Sequence, residues 1–367
     1  MRERIIRSIP RTRKRRNGTE MADKEKKEMK TEDVPFVSVI VPVYNEERYI
    51  DECVRSMLAQ DYPKDRMEWF FADGMSQDRT VEILEGYRAE HPGLINIIEN
   101  PDRTVPYAMN LGIRASRGEY IIRLDAHAVY APDYFSACVR VLERTGADNV
   151  GGAIETRART KTGKTIAKML SSKFGVGNSG FRTGADDGYV DTVPFGAFKR
   201  DVFDRVGLYD ERLTRNQDSE MNYRIIHNGG KIYLSNEIKL AYYCRDTVKG
   251  IAKMAFLNGK WNIITSKLCP GSMRLRHFVP CGFVLSLIVL PLAGLIALPF
   301  LGALRNLFLW ALAAELAAYL ALDAIFSAKL AACAGEFFKL AGLFPIFHVA
   351  YGAGSIAGIL SLNKVGK

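Results

Sequence analysis

The stretch EYIIRLDAH, residues 119–127, decides how the chain is organised. Ile121, Ile122 and Leu124 make an apolar run of strand length, and Asp125 and His127 follow just beyond it, one residue apart. Two side chains able to bind a metal ion thus stand at a strand's carboxyl end. In open α/β sheets that is where ligands bind, in the crevice outside the strand ends. A strand that merely stops in a polar turn is the alternative, and the flanking segments choose between the two.

Upstream, residues 37–43 are apolar and rich in valine and isoleucine, as a parallel strand buried on both faces requires. They lead into PVYNE, residues 42–46. Ile50, Cys53, Val54, Met57 and Leu58 then recur at helical spacing, with Asn45 predicted as the cap. A second apolar strand is expected at 67–72, followed by DGMSQDRT (73–80) and a helix carrying Val81, Leu84 and Tyr87. A third strand at 94–98 and a third helix at 106–116, bearing Asn110 and Gly112, complete the series. Strand and helix alternate throughout, which implies a parallel sheet with right-handed crossovers. None of the turns carries GxGxxG or GxxxxGK[ST], so neither a dinucleotide fold nor a P-loop enzyme is supported.

Downstream, a helix is expected over 132–144 and strands at 149–154 and 192–198. The Gly-, Ser- and Thr-rich segment between those strands has the length and composition of an active-site loop. NQDSE, residues 216–220, opens a helix through Met221, Tyr223 and Ile225 that closes at Gly229-Gly230. Asp218 and Glu220 near its start suit the helix dipole as well as chemistry. Strands at 231–234 and 238–244 follow.

The formal net charge of +10 goes with 48% hydrophobic residues, a balance unlike that of a disordered or histone-like chain. Basic residues concentrate in a tail over residues 1–35 and beside apolar runs, which favours an anionic membrane surface over nucleic acid. The six cysteines show no CxxC pair, which argues against a zinc site or a disulfide framework. Residues 246–277 combine Lys249, Lys253, Lys260 and Lys267 with Ile251, Phe256, Leu257 and Trp261, the pattern of a membrane-interface helix or of an ordinary surface helix. Residues 278–304 carry no charge and are long enough to span a bilayer. Arg274, Arg276 and His277 precede them, so the amino end of that span is expected to face the cytoplasm. Further spans are expected at 306–328, where Glu315 and Asp323 need partners, and at 340–362, which contains a GxxxG at Gly354 and Gly358. Three full crossings would leave Lys364 and Lys367 outside, so the last segment is expected to be re-entrant or interfacial.

PVYNE, the DGxSxDxT run, NxG, DAH and QDxE occur in this order on one α/β framework. Together they resemble glycosyltransferase family 2, enzymes of the GT-A fold, over roughly residues 36–245. DERLTRNQDSEMNYRI, the DAH variant and the C-terminal membrane helices resemble more narrowly the succinoglycan-biosynthesis glucosyltransferases of the ExoA type. The resemblance implies a GT-A α/β fold, a mostly parallel mixed sheet flanked by helices, with membrane helices over 278–362. It also implies inverting transfer of a hexose from a nucleotide sugar, UDP-linked by expectation, to a lipid-linked saccharide, with no nucleic-acid partner.

Asp125 and His127 then stand at the family's DxD motif, whose divalent ion acts as a Lewis acid on the donor diphosphate. Imidazole in place of the second acid favours Mn²⁺ over Mg²⁺, with Asp125 the firmer ligand and His127 a weaker or indirect one. Asp218 matches the aspartate of the ED motif and is the expected base, with Gln217 replacing the acid before it and Glu220 orienting the acceptor or a loop. Tyr44 is placed against the uracil, Pro42 and Glu46 shape that pocket, and Asp73 reads the base although Gly74 replaces the second aspartate. Asn110 and Arg123 are further donor-side contacts. The expected location is the inner or plasma membrane, multi-pass, with a cytoplasmic catalytic domain. Alternatives are a polyprenyl-phosphate glycosyltransferase, a processive synthase, whose QxxRW motif is reduced here to Gly259-Lys260-Trp261, or a membrane nucleotide-sugar binding protein without catalysis.

Overall fold

A computed structural model describes residues 34–296 and 302–364. The basic tail over residues 1–33 lies outside the described residues. Four strands come first: β1 (Val37–Val43), β2 (Met67–Asp73), β3 (Ile95–Glu99) and β4 (Tyr120–Arg123). They are joined by α1 (Ile50–Leu58), α2 (Thr80–Glu90) and α3 (Val105–Ala115). All pair in parallel, with Val37 opposite both Met67 and Tyr120, so the ends of β1, β2 and β4 open on one edge. β1 and β2 are almost wholly buried on both faces, which explains their continuous apolar sequence. Helix α3 sits directly on β1: a Cβ at Gly112 would come within 2.6 Å of the Ile40 side chain.

The second half comprises β5 (Ala128–Tyr130), α4 (Tyr134–Thr145), β6 (Asn149–Arg157), α5 (Lys161–Leu170), α6 (Lys173–Val176), α7 (Gly180–Thr183), β7 (Gly188–Tyr189), β8 (Ala197–Lys199), α8 (Asp201–Val206), α9 (Gln217–His227) and β9 (Ile232–Tyr243). The sheet runs β3-β2-β1-β4-β8-β6-β9-β5, with β7 on β9. β8 joins the halves by pairing antiparallel with both β4 and β6. It is shorter than the strand expected at 192–198, because Pro194 donates no ladder bond and Phe195 takes a φ of 47°. The strands expected at 231–234 and 238–244 are one, β9, with a register shift opposite Gly152 and Ala153.

Helix α10 (Val248–Leu268) leads to α11 (Val279–Ile296), α12 (Gly302–Leu330) and α13 (Ala334–Ser361), and the last three are long and apolar enough to cross a membrane. α13 continues unbroken through Pro345 for 28 residues, about 42 Å at 1.5 Å per residue, so it does not turn back as a re-entrant segment would. Forty-four per cent of its apolar window is buried, against 17% in α11 and 6% in α12, which makes α13 the helix that joins these segments to the sheet domain. Ile166 and Leu170 of α5, Ile251 and Ala255 of α10, and Leu340, Phe344 and Phe347 of α13 form one core. The GxxxG glycines lie on α10: a Cβ at Gly354 would fall 1.9 Å from the Phe256 carbonyl oxygen, and one at Gly358 2.7 Å from that of Lys260. The apolar face of α10 is thereby spent on α13. Glu315 accepts from Ser286 at 2.6 Å and Asp323 from Ser327 at 2.9 Å, so both acids have partners. The six cysteines are free, four of them buried.

Candidate active site

The β1–α1 loop and the β2–α2 loop are laced together at the open edge of the sheet. Asn45 does not cap α1; with φ at 55° its amide oxygen accepts from the Gln77 N–H at 2.8 Å, and its own N–H donates to Ser76 Oγ at 2.9 Å. The Glu46 N–H donates to Thr80 Oγ1 at 2.7 Å and the Glu47 N–H to Asp78 Oδ2 at 3.1 Å. Desolvation works against it, yet the bonds from Thr80 and Glu47 hold the Asp78 carboxyl below its ordinary value. Ser76, Asp78 and Thr80 thus explain the alternating pattern of the DGxSxDxT run: they fix the loop that presents Tyr44 and Glu46. Tyr44 keeps an exposed ring beside this edge, and Pro42 is half-buried under it. Asp73 is buried at the end of β2 and accepts from the Ser76 N–H at 3.1 Å.

At the end of β4, Tyr130 clamps the turn: its hydroxyl accepts from the Asp125 N–H at 2.8 Å and donates to the Asp125 carbonyl at 3.0 Å. Arg123 is 4% exposed and forks between two acids. One nitrogen lies 3.2 Å from Asp125 Oδ1, and another donates to Asp218 Oδ1. Burial opposes its charge, but Asp218 and Asp125 hold the guanidinium well above its ordinary value. Burial pushes the Asp218 carboxyl up, and Arg123 beside it works in the opposite direction. The Arg123 Nε and the Gln217 Oε1 are buried without a hydrogen-bond partner among the described residues, so polar capacity remains at this point.

His127 has a protein partner on each ring nitrogen. Nδ1 lies 3.0 Å from Glu46 Oε1 and Nε2 3.0 Å from the Tyr242 hydroxyl. Burial disfavours the charged ring, but Tyr242, the Glu46 carboxylate and Asp125 outweigh it and push its pKa up to about 10. Both ring nitrogens are thus engaged with protein groups in this arrangement. Among the described residues no three His, Cys, Asp or Glu side chains gather as a ready-made metal cage. Such a donor set fits a hard divalent ion that takes one carboxylate, Asp125, and fills its shell from phosphate oxygens and water. It does not fit an all-protein site.

This geometry stands within a recognisable sequence frame. Residues 38–207 match the family described as Glycosyl transferase family 2.

The chain carries a family 2 glycosyltransferase domain.

It is 28% identical over 276 residues to the dolichyl N-acetyl-alpha-D-glucosaminyl phosphate 3-beta-D-2,3-diacetamido-2,3-dideoxy-beta-D-glucuronosyltransferase of Methanococcus voltae, covering 73% of this chain and 85% of that protein. The succinoglycan biosynthesis protein ExoA of Rhizobium meliloti is 29% identical over 247 residues, covering 66% of this chain and 73% of its own length. Among solved structures, the mannosyltransferase PcManGT of Pyrobaculum calidifontis, in complex with GDP-Man and Mn²⁺, matches with a TM-score of 0.55 at 21% identity, covering 91% of this chain and 88% of that one. The likeness in fold extends across the GT-A-like sheet and its flanking helices.

Two further sequence-predicted residues, Glu220 and Asn110, spend their polar groups on protein partners. Glu220, two residues after Asp218 and therefore on another side of α9, is buried and forks with Arg224 at 2.5 and 2.9 Å. Arg224 in turn donates to the carbonyls of Val206, Gly207 and Leu208, so Glu220 braces that loop through Arg224. Asn110 spends its amide on the same region: its nitrogen donates to the Tyr209 carbonyl and to Glu211, and its oxygen accepts from the Tyr209 N–H at 2.9 Å. It thereby positions the chain entering α9. Tyr130 and Tyr242 were missed, because nothing local marks them; each acts on a residue of another strand or turn.

Proposed function

We propose that this glycosyltransferase moves a hexose, with inversion, from a nucleoside diphosphate sugar to a lipid-linked saccharide at a membrane surface. The observation that carries the reading is the buried Arg123 fork, which holds Asp125 and Asp218 on one guanidinium although they come from separate elements. Tyr44 offers its exposed ring for stacking on the nucleobase, and Asp73 stands beside it at the end of β2. Asp125 would hold a divalent ion, Mn²⁺ or Mg²⁺, which when bound neutralises the diphosphate as it leaves.

Asp218 takes the proton. As the acceptor hydroxyl oxygen bonds to the sugar's anomeric carbon, the bond from that carbon to the diphosphate breaks on the opposite face. The hydroxyl proton passes to the Asp218 carboxylate, and the nucleoside diphosphate departs with the bonding pair. Arg123 favours the ionised form of Asp218 against its burial and aims it until an acceptor arrives. With its base and leaving-group site on opposite faces, such an arrangement inverts the anomeric centre.

The acceptor follows from the attached apolar helices and from relatives whose names refer to a dolichyl-linked substrate and to succinoglycan. Arg274, Arg276 and His277 before α11 support a cytoplasmic sheet domain. The stretch Gly259-Lys260-Trp261 stands where processive synthases carry QxxRW, which supports single transfer over processive synthesis. The test is a panel of UDP- and GDP-sugars with short lipid-linked acceptors and full-length protein in detergent, with the product anomer assigned by NMR. An inverted glycoside whose formation requires acceptor and divalent ion is the expected product; nucleotide-sugar hydrolysis without acceptor dependence, or retention, contradicts the reading.

A further inference from the structure

Most arginines of the sheet domain near the cleft are neutralised. Arg123 meets Asp125 and Asp218, Arg157 meets Glu155, Arg159 meets Glu52, and Arg224 meets Glu220. Three others converge from separate elements without a carboxylate partner among the described residues. Arg182 of α7 lies 5.4 Å from the centre of the Tyr242 ring and donates to Thr156 Oγ1 at 3.1 Å. Arg215, just before α9, donates to Asn258 of α10 at 3.0 Å. Arg245, between β9 and α10, packs its stem on Gly250 at the first turn of α10. Burial pulls the Arg182 guanidinium below its ordinary value, and burial with the nearby charge of Arg245 does the same to Arg215. Arg182 and Arg215 are partly buried and Arg245 is exposed; clustered guanidinium groups without counter-charge are costly, and bidentate phosphate contacts relieve that cost.

We infer that Arg182, Arg215 and Arg245 form a diphosphate-binding site, and that its occupant is the prenyl diphosphate head group of the acceptor. The inference rests on the lipid-linked acceptor proposed above and adds where that lipid is held. Its position selects the lipid. The cluster shares a wall with the active site, since the Tyr242 hydroxyl meets His127 while Arg182 stacks on the same ring. It is separated from the donor side, because Tyr44 and Asp73 end β1 and β2 whereas Tyr242 lies on β9, beyond β4, β8 and β6 in the sheet. It is also tied to α10, the helix that packs along α13, which places the cluster at the junction between the sheet domain and the apolar helices.

The donor also carries a diphosphate, and the test separates the two sources. Farnesyl diphosphate, farnesol, inorganic pyrophosphate and UDP with Mn²⁺ are titrated calorimetrically into full-length protein in detergent, for wild type, Arg215→Gln/Arg245→Gln and Arg215→Lys/Arg245→Lys. Farnesyl diphosphate is expected to bind wild type saturated with UDP, pyrophosphate to compete with it, and farnesol not to bind. The glutamine pair should weaken farnesyl diphosphate by roughly tenfold per arginine and leave UDP affinity within about twofold, with partial recovery in the lysine pair. Competition between UDP and farnesyl diphosphate, a parallel loss of both, or no binding of farnesyl diphosphate overturns the assignment. Failure of UDP alone to bind wild type would instead count against the glycosyltransferase donor reading and leave the lipid arm readable.

Discussion

Arg123 and Asp218, 95 residues apart in the chain, form an ion pair in which the arginine is buried and the carboxylate opens partly to the cleft. The same guanidinium reaches Asp125. The fork is planar and fixed, so it sets the two acids relative to each other as well as neutralising them. Replacing Arg123 by lysine keeps one charge but cannot bridge both. Transfer should fall by more than about tenfold with a small change in melting temperature. Alanine should cost stability too, between the ~1 kcal/mol of an exposed pair and the ~4 kcal/mol of a buried one, because Asp218 is partly solvated. Turnover and thermal unfolding measured side by side check this.

Asp218 and Glu220 should separate cleanly. Glu220→Gln removes the partner of Arg224, whose guanidinium ties down the 206–208 loop. Its melting temperature should drop by several degrees, as expected for about 1–3 kcal/mol, with a modest loss of turnover. Asp218→Asn should do the reverse. Melting curves and steady-state rates of the two variants decide whether Glu220 has any chemical part.

His127 makes the metal dependence specific. With Glu46 and Tyr242 on its two nitrogens, it links the β1 loop to β9, and we propose that it is not a metal ligand. The ratio of rates in Mn²⁺ and Mg²⁺ should therefore change by no more than about twofold in His127→Gln, which retains a donor and an acceptor. Asp125→Asn should lose activity in both ions. A His127 variant that switches ion preference would make it a ligand.

The junction of α10 with α13 can be tested away from the active site. Gly354→Ala places a methyl against the Phe256 carbonyl, whereas Gly342→Ala on the same helix meets nothing within 4 Å. The first should destabilise the protein by about 1–3 kcal/mol through overpacking. The second should be neutral or gain roughly 0.5–1 kcal/mol of helix propensity. Thermal unfolding in one detergent compares them directly.

What the sequence disclosed follows the range of the forces involved. β1, β2 and β4 were legible because burial on both faces writes a continuous apolar run, and α1 because Ile50, Cys53, Val54 and Met57 keep helical spacing. The GxxxG glycines were legible as a close-contact face, but not the helix they would meet. Hydrogen-bonding roles were the hardest to see. Asn45 reads as a cap but instead joins the β1 and β2 loops, and Asn110 holds a segment distant in sequence, reaching 99 residues to Tyr209. His127 was legible only as a motif position; its partners lie 81 and 115 residues away, and the network they make decides whether its nitrogens are free. β8 was overextended because 192–196 has strand-like composition, while Pro194 and the positive φ of Phe195 break the ladder.

The central claim is that Asp218 is the base. The direct measurement is transfer by wild type and Asp218→Asn at saturating donor and acceptor, with nucleotide affinity of both proteins determined in parallel. A loss of about 10²–10⁴-fold in turnover with nucleotide affinity essentially unchanged is the predicted result. An Asp218→Asn enzyme that transfers sugar at close to the wild-type rate would contradict it.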